Sequence, residues 1–240
     1  MHSSHLLTGA VLVASAALAG PQQDLTMQRM LDEIRDDARM TEPYTGKAVI
    51  DAKVLDAMRH VPREQFVPSD AADYAYENRP LPIGHGQTIS QPFIVALMTD
   101  LLTLEPDDRV LEVGTGSGYQ AAVLSGLVAE VYTIEIIPAL ARTAAGVLER
   151  LGYANVHVEI GDGWHGWPAA APFDGIVVTA VAPEAPPKLL AQLAPGGRLV
   201  MPLGEENRGQ MLVVLTKRVD GSVDRRDVLP VQFVPLTGNH

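Results

Sequence analysis

Three glycines in five residues, Gly114, Gly116 and Gly118, follow the apolar run of Val110, Leu111 and Val113. They precede a helical pattern that begins Ala121, Ala122, Val123, Leu124. A strand that meets a helix through such a turn opens a nucleotide-binding βαβ unit. Glycine lets the backbone turn sharply and approach a ligand where a Cβ would clash. The spacing is G-x-G-x-G, not the G-x-G-x-x-G of dinucleotide binders. Glu112 stands two residues before the first glycine. A carboxylate there suits a cationic ligand better than a pyrophosphate. A turn of this kind is also compatible with a purely structural role, so its meaning depends on the rest of the chain.

From Val110 onward, strand and helix patterns alternate. Val131 to Ile136 reads as a second strand, Pro138 to Leu151 as a helix with Pro at its start and Gly152 after its end. Asn155 to Ile160 and Phe173 to Thr179 are further strands, residues 186–194 a short helix, and Pro195-Gly196-Gly197 a turn into a fifth strand, Arg198 to Pro202. Met211 to Arg218 and Val228 to Val234 read as a closing antiparallel pair joined through Asp220-Gly221. The expected fold is α/β and Rossmann-like: a mostly parallel, seven-stranded sheet with helices on both faces and a helical N-terminal addition.

Upstream, residues 24–61 read as two helices, the second marked by Ile50, Val54, Met58 and Val61 and ended by Pro62. Residues 62–90 look like a long loop, and a loop of that length in a compact domain is functional or disordered. It ends in L-P-I-G-H-G-Q-T-I-S, Leu81 to Ser90. Helical spacing then resumes at Ile94, Leu97, Met98 and Leu101, which predicts Ser90 as the helix N-cap. His85 reads as a loop histidine.

At 240 residues the chain fits one domain, and its net charge of −11 argues against nucleic acid as a partner. With no cysteine there is no disulfide, thiolate metal site or cysteine nucleophile; the seven histidines lack ligand spacing, so no metal is expected. Residues 1–23 resemble a secretory signal peptide, with an apolar stretch from Leu6 to Ala19 too short to span a membrane and a small-x-small end at Ala17-Leu18-Ala19. His2 and His5 stand where Lys or Arg is usual, and a true start at Met27 or Met30 is the alternative. The protein is periplasmic or exported if that segment is used, and otherwise cytoplasmic. The expected division is 1–23 signal peptide, 24–90 N-terminal helices and substrate loop, and 91–240 catalytic core.

Ligands of such sheets bind at the carboxyl ends of the strands. Three acidic residues fall there. Glu112 lies beside the turn, Glu135 ends the second strand where it can accept ribose hydroxyls, and Asp162 follows the third where it can accept an adenine amino hydrogen. Together with the glycine turn they fit a nucleoside carrying positive charge, S-adenosylmethionine (SAM) in preference to NAD.

The segments I-G-H-G-Q-T-I-S-Q-P, E-V-G-T-G-S-G-Y-Q, G-D-G-W, F-D-G-I-V-V-T-A, L-A-P-G-G-R-L-V-M-P-L-G and F-V-P-L-T occur in this order. From about Met27 to Thr237 the chain resembles the protein-L-isoaspartate O-methyltransferase family. The resemblance implies methyl transfer from SAM to the free α-carboxylate of L-isoaspartyl residues in damaged proteins and flexible peptides. The ester then closes to a succinimide that hydrolyses partly to aspartate. By position it implies Ser90 as the catalytic residue. Cofactor contacts are implied at Gln87, Thr88, Ile89, Glu112, Gly114, Thr115, Gly116, Gly118, Glu135, Ile136, Asp162 and Gly163, and substrate contacts at Ile83, Ser90, Val234, Pro235 and Thr237. Some relatives carry a histidine five residues after the serine, where this chain has Val95. A monomer is expected. The competing readings are a methyltransferase acting on a small molecule or RNA, an NAD oxidoreductase, and a SAM-binding protein without catalysis.

Overall fold

A computed structural model describes residues 21–205 and 208–238. The signal-like reading falls on residues 1–23, of which 1–20 lie outside the described residues. No helix among the described residues is long and apolar enough to cross a membrane.

The chain begins with α1 (Pro21–Thr45) and α2 (Ala52–His60). On α1, Met27, Met30, Leu31, Ile34 and Ala38 recur at helical spacing and are buried. The stretch expected to be a loop is structured. Short 3-10 turns at Arg63–Phe66 and Ser69–Tyr74 lead into a hairpin of β1 (Leu81–Gly84) and β2 (Gln87–Ile89). These strands are too short, and Pro82 too disruptive, to show a period in the sequence. His85 and Gly86 close the hairpin with φ of 54° and 73°, as a two-residue primed turn requires.

Then come α3 (Pro92–Leu102), β3 (Arg109–Val113), α4 (Tyr119–Ser125), β4 (Glu130–Glu135), α5 (Pro138–Leu151), β5 (Val156–Ile160), β6 (Phe173–Val178) and α6 (Pro187–Gln192). The chain closes with β7 (Leu193–Glu205), β8 (Arg208–Lys217) and β9 (Val223–Val231). β7 starts earlier than expected: its pairing with β6 jumps from Leu193 to Arg198, so Pro195-Gly196-Gly197 bulges within the strand. The N-cap expectation at Ser90 is also corrected. Pro92 occupies the first helical turn and forces its predecessor to stay extended, so Gln91 is the cap, at φ −52° and ψ 135°, with no side-chain capping bond. Ser90 lies one residue outside the helix.

The seven strands run in the order β5-β4-β3-β6-β7-β8-β9, parallel from β5 to β7 and antiparallel at β8 and β9. Val110 and Leu111 are both buried yet belong to different apolar clusters, because successive side chains of a strand point to opposite faces. One cluster joins α1, α2, α3 and α4 to the sheet. The other holds Leu111, Ile134, Phe173 and Ile176 with Leu189 of α6. A sheet covered on both faces explains the near-continuous apolar runs of β3 and β6. The chain moves outward from β3 to β4 and β5, then crosses back to β6 on the other side of β3. That reversal leaves a crevice at the carboxyl ends of β3, β4 and β6.

Candidate functional site

The glycine turn lies in this crevice. All three of its glycines have positive φ. Gly114 is the most constrained: at φ 97° a Cβ would also stand 2.4 Å from Thr179 Oγ1, whose hydroxyl donates to the Gly114 carbonyl at 2.8 Å. Gly163, after β5, has no positive φ but passes so close to β3 that a Cβ would meet Val113 Cγ1 at 2.3 Å.

The turn, β4 and Gly163 line a cavity, partly open to solvent, with about 780 Å3 of empty space. Glu112 and Glu135 are the charged side chains that line it; no basic side chain does, among the described residues. Glu112 is fully buried, and burial pushes its carboxyl up to about 8 from an ordinary 4.5. Thr133 opposes the shift by hydrogen bonding, and the nearby Glu135 adds to it. The Thr133 hydroxyl donates to Glu112 Oε2 at 2.6 Å, so at the 2.6 Å contact of Thr115 with Thr133 the Thr115 hydroxyl must be the donor. Glu112 Oε1 is buried with no hydrogen-bond partner. A buried carboxylate oxygen without a donor is costly unless a ligand supplies one. Glu135 accepts from Gly116 N–H at 2.8 Å through Oε2 and from Ile137 N–H at 2.9 Å through Oε1. Each oxygen keeps a lone pair for a ligand hydroxyl. A cavity with two acidic side chains, one of them with an unpartnered oxygen, fits a ligand with an ammonium group, a positive sulfur and a ribose.

A second, open cleft of about 1910 Å3 lies alongside, bounded by Asp37 and Thr41 of α1, the hairpin, and residues 229–235. Ser90, Gln87, Thr88, Thr179, Val234 and Pro235 line both cavities. The Ser90 carbonyl accepts from Arg63 Nη2 at 2.7 Å, while its hydroxyl has no protein partner among the described residues. Arg63 is fully buried, and burial lowers its pKa. At the start of α3, Asn78 Oδ1 accepts from the Phe93 amide at 3.0 Å, so one of the helix-terminal donors is already used. The C-terminal segment is pinned on two sides. The Gln210 side chain exchanges hydrogen bonds with both backbone groups of Phe233, at 2.6 and 3.1 Å. Val181 N–H donates to Val234 O and Leu236 N–H to Val181 O, each at 2.8 Å.

Among the residues named from sequence, Gln87, Thr88, Ile89, Ser90, Glu112, Gly114, Thr115, Gly116, Glu135, Ile136 and Gly163 line the first cavity, with Val234, Pro235 and Thr237. Three do not. Gly118 is buried as the α4 N-cap, where a Cβ would press on Ala144 and Leu148 of α5 at 3.3 Å. Ile83 packs close to the turn, with Cδ1 3.4 Å from where a Cβ on Gly116 would stand. The Asp162 carboxylate is engaged elsewhere: Oδ1 accepts from Trp164 N–H at 3.0 Å, and a Cβ on Gly238 would fall 2.3 Å from Oδ2. Thr179, Tyr119, Gln120 and Arg63 were not anticipated. Thr179 was within reach of the strand-end rule, since it directly follows β6. Val95 is buried and also lines the cavity. Among the described residues no cluster of ligating side chains could hold a metal ion.

The family model described as protein-L-isoaspartate(D-aspartate) O-methyltransferase (PCMT) matches residues 37–240. Protein-L-isoaspartate O-methyltransferase 2 of Syntrophobacter fumaroxidans is 54% identical over 242 residues, covering 97% of this chain and 98% of that protein. The enzyme of the same name from Nitrosococcus oceani is 57% identical over 213 residues, covering 89% of this chain and 97% of its own. Among solved structures, a protein-L-isoaspartate O-methyltransferase superposes with a TM-score of 0.77 at 29% identity over 89% of this chain and 66% of that one. A Plasmodium falciparum protein, solved in complex with S-adenosyl-L-homocysteine, shares the fold with a TM-score of 0.74 at 24% identity. The match covers 89% of this chain and 99% of that one.

Proposed function

This chain belongs to the protein-L-isoaspartate(D-aspartate) O-methyltransferase family, and we propose on that premise how its residues divide the work of methylating the free α-carboxylate of L-isoaspartyl residues. The donor is SAM, which supplies a methyl group on a positively charged sulfur. Glu112 holds the ammonium end of the donor, Glu135 its ribose, and the Gly114–Gly118 turn lets its backbone pass close. Ser90 donates its hydroxyl to one oxygen of the substrate carboxylate and leaves the other free to react. The observation that carries this assignment is that Ser90 lines both the acidic cavity of the glycine turn and the larger cleft beside it.

The chemistry asks little more of the protein than alignment. A carboxylate with pKa near 4 is already ionised at neutral pH, so no general base is needed. None of the lining residues forms a nucleophile–base pair. Holding two reactants in line is worth up to ~7–11 kcal/mol in well-oriented cases. The methyl ester that results closes to a succinimide, which hydrolyses partly to aspartate. We read Val234, Pro235 and Thr237, with the hairpin around Ile83, as the backbone that receives the damaged chain. A flexible peptide fits an open cleft of this size, and the net charge of −11 disfavours nucleic acid. We also read the protein as a monomer.

Labelled SAM and a pair of peptides that differ only in isoaspartate or aspartate test the reading. Base-labile label on the isoaspartyl peptide alone is expected; label on neither peptide defeats it.

A further inference from the structure

Arg63 is the largest fully buried side chain among the described residues, and no carboxylate forms an ion pair with it there. Its guanidinium touches three segments. Nε donates to the Ala75 carbonyl at 2.8 Å, and Nη2 donates to the Ser90 carbonyl at 2.7 Å. Its central carbon lies over the Tyr119 ring, 4.5 Å from the centroid. Tyr119 opens α4 directly after the glycine turn and lines the first cavity. Arg63 Nη1 and the Tyr119 hydroxyl are both buried, and the two side chains are each other's polar neighbours.

A buried cation without an opposite charge is an expensive fastener, and a neutral side chain would cost less to bury. The guanidinium offers something a neutral group or an ammonium does not. It is a rigid fork with donors along its edges and a face that stacks on an aromatic ring. Here one N–H holds the backbone of Ser90 and the cation lies over the ring of the first helical residue after the donor turn. Because the Ser90 hydroxyl has no protein partner, its direction is inherited from its own backbone, and that backbone is fixed by a charge-assisted bond.

We propose that Arg63 is a positioning residue of methyl transfer, setting Ser90 against the donor turn through the Ser90 carbonyl on one side and the Tyr119 ring on the other. The inference rests on the reading of Ser90 as the group that holds the substrate carboxylate. Misplacing a reacting group by about 1 Å can cost on the order of 100-fold in rate. Lysine keeps the charge but has neither fork nor face.

A double-mutant cycle tests this, with kcat on an isoaspartyl peptide and the SAM dissociation constant measured separately for Arg63→Lys, Ser90→Ala and the double variant. The expectation is that Arg63→Lys lowers kcat about 10- to 100-fold while SAM affinity stays within about 3-fold. The double variant should then be no slower than Ser90→Ala by more than about 3-fold, since residues that act through one another are not additive. A merely structural arginine would instead show the product of the two losses, and that result overturns the inference, as does parental kcat in Arg63→Lys. Parental kcat in Ser90→Ala defeats the reading of Ser90 itself; loss there beside an unaffected Arg63→Lys defeats only the role of Arg63. Should Arg63→Lys fail to bind SAM, the same cycle with Arg63→Gln decides, and loss of SAM binding in both assigns Arg63 to the fold alone.

Discussion

The donor cavity and the acceptor cleft share Ser90 and Thr179, yet they are assembled by different means. Glu112, Thr115, Glu135 and Thr179 of the donor side sit at strand ends or in the turns that follow, and the bond that fixes Glu112 follows from sheet register. Glu112 on β3 faces Thr133 on β4 as a direct cross-strand neighbour, and their hydrogen bond needs no further arrangement. The acceptor side has no such lattice. Ser90 is held by Arg63, the start of α3 by Asn78, and the C-terminal segment by Gln210 and Val181, each through a bond to backbone. Distance along the chain does not separate the two sides. Glu112 and Thr133 are 21 residues apart and Thr115 and Thr133 18, against 27 for Arg63 with Ser90 and 15 for Asn78 with Phe93. The difference is that a repeating fold dictates the first set, while individual side chains supply the second.

If the two sides are separate devices, they should fail separately. Ser90→Ala should lower kcat about 100-fold, the size seen when a positioned donor to a reacting oxygen is removed, with SAM affinity within about 2-fold. Gly114→Ala should do the reverse. Its φ of 97° and the 2.4 Å approach to Thr179 leave no room for a methyl group, so SAM affinity should fall at least about tenfold while kcat at saturating SAM moves less. Calorimetry for SAM and labelled-methyl kinetics for the peptide check both. A Gly114→Ala enzyme with normal SAM affinity would break the comparison.

A smaller effect sharpens it from the donor side. The native Glu112 carboxyl titrates at about 8 against an ordinary 4.5. A raised native pKa favours the fold below the unfolded value, and this advantage is lost as pH rises from about 4.5 to about 8. The cost is about 1.4 kcal/mol for each pH unit in that window. A cationic ligand at Oε1 favours the ionised form and offsets the loss. The thermal shift produced by SAM should therefore grow between pH 6 and 8, and Glu112→Gln should flatten both the stability slope and the gain in that shift. Equal slopes in the two proteins would show that Glu112 does not meet the donor's charge.

Sheet-borne features were legible in the sequence because each leaves a local signature: the apolar runs of β3 and β6, the Pro138 and Gly152 that bound α5, and the carboxylates after successive strands. Pro92 hid the true cap. It shifts the helix start by one residue, and Ser90 looked like a capping serine only because serine is a common cap. The hairpin over 81–89 was missed because three- and four-residue strands carry no period. Arg63 left no signal at all. A lone arginine between Pro62 and Glu64 reads as solvated surface, and only the folded chain shows its whole side chain to be buried. At Asp162 the structure adds what the motif does not show: the Trp164 amide and the Gly238 segment lie against its carboxylate.

The smallest effect probes the acceptor side where it is most nearly structural. Asn78 caps α3 from outside the helix, accepting from Phe93 N–H while its Nδ2 donates to Asp37 Oδ2 at 2.8 Å. Asp37 lines the open cleft, and burial raises its pKa, with the Asn78 bond opposing that shift. Asn78→Ala should cost about 1 kcal/mol of stability, as loss of a cap does. It should also release Asp37 and the first turn of α3 into the cleft, so the peptide KM should rise about 2- to 5-fold while SAM affinity and kcat stay unchanged. Stability lost without any change in peptide KM would make Asn78 a cap and nothing more. A fall in SAM affinity would be more damaging, because it would mean that a bond made entirely on the acceptor side reaches the donor cavity and that the two devices are one.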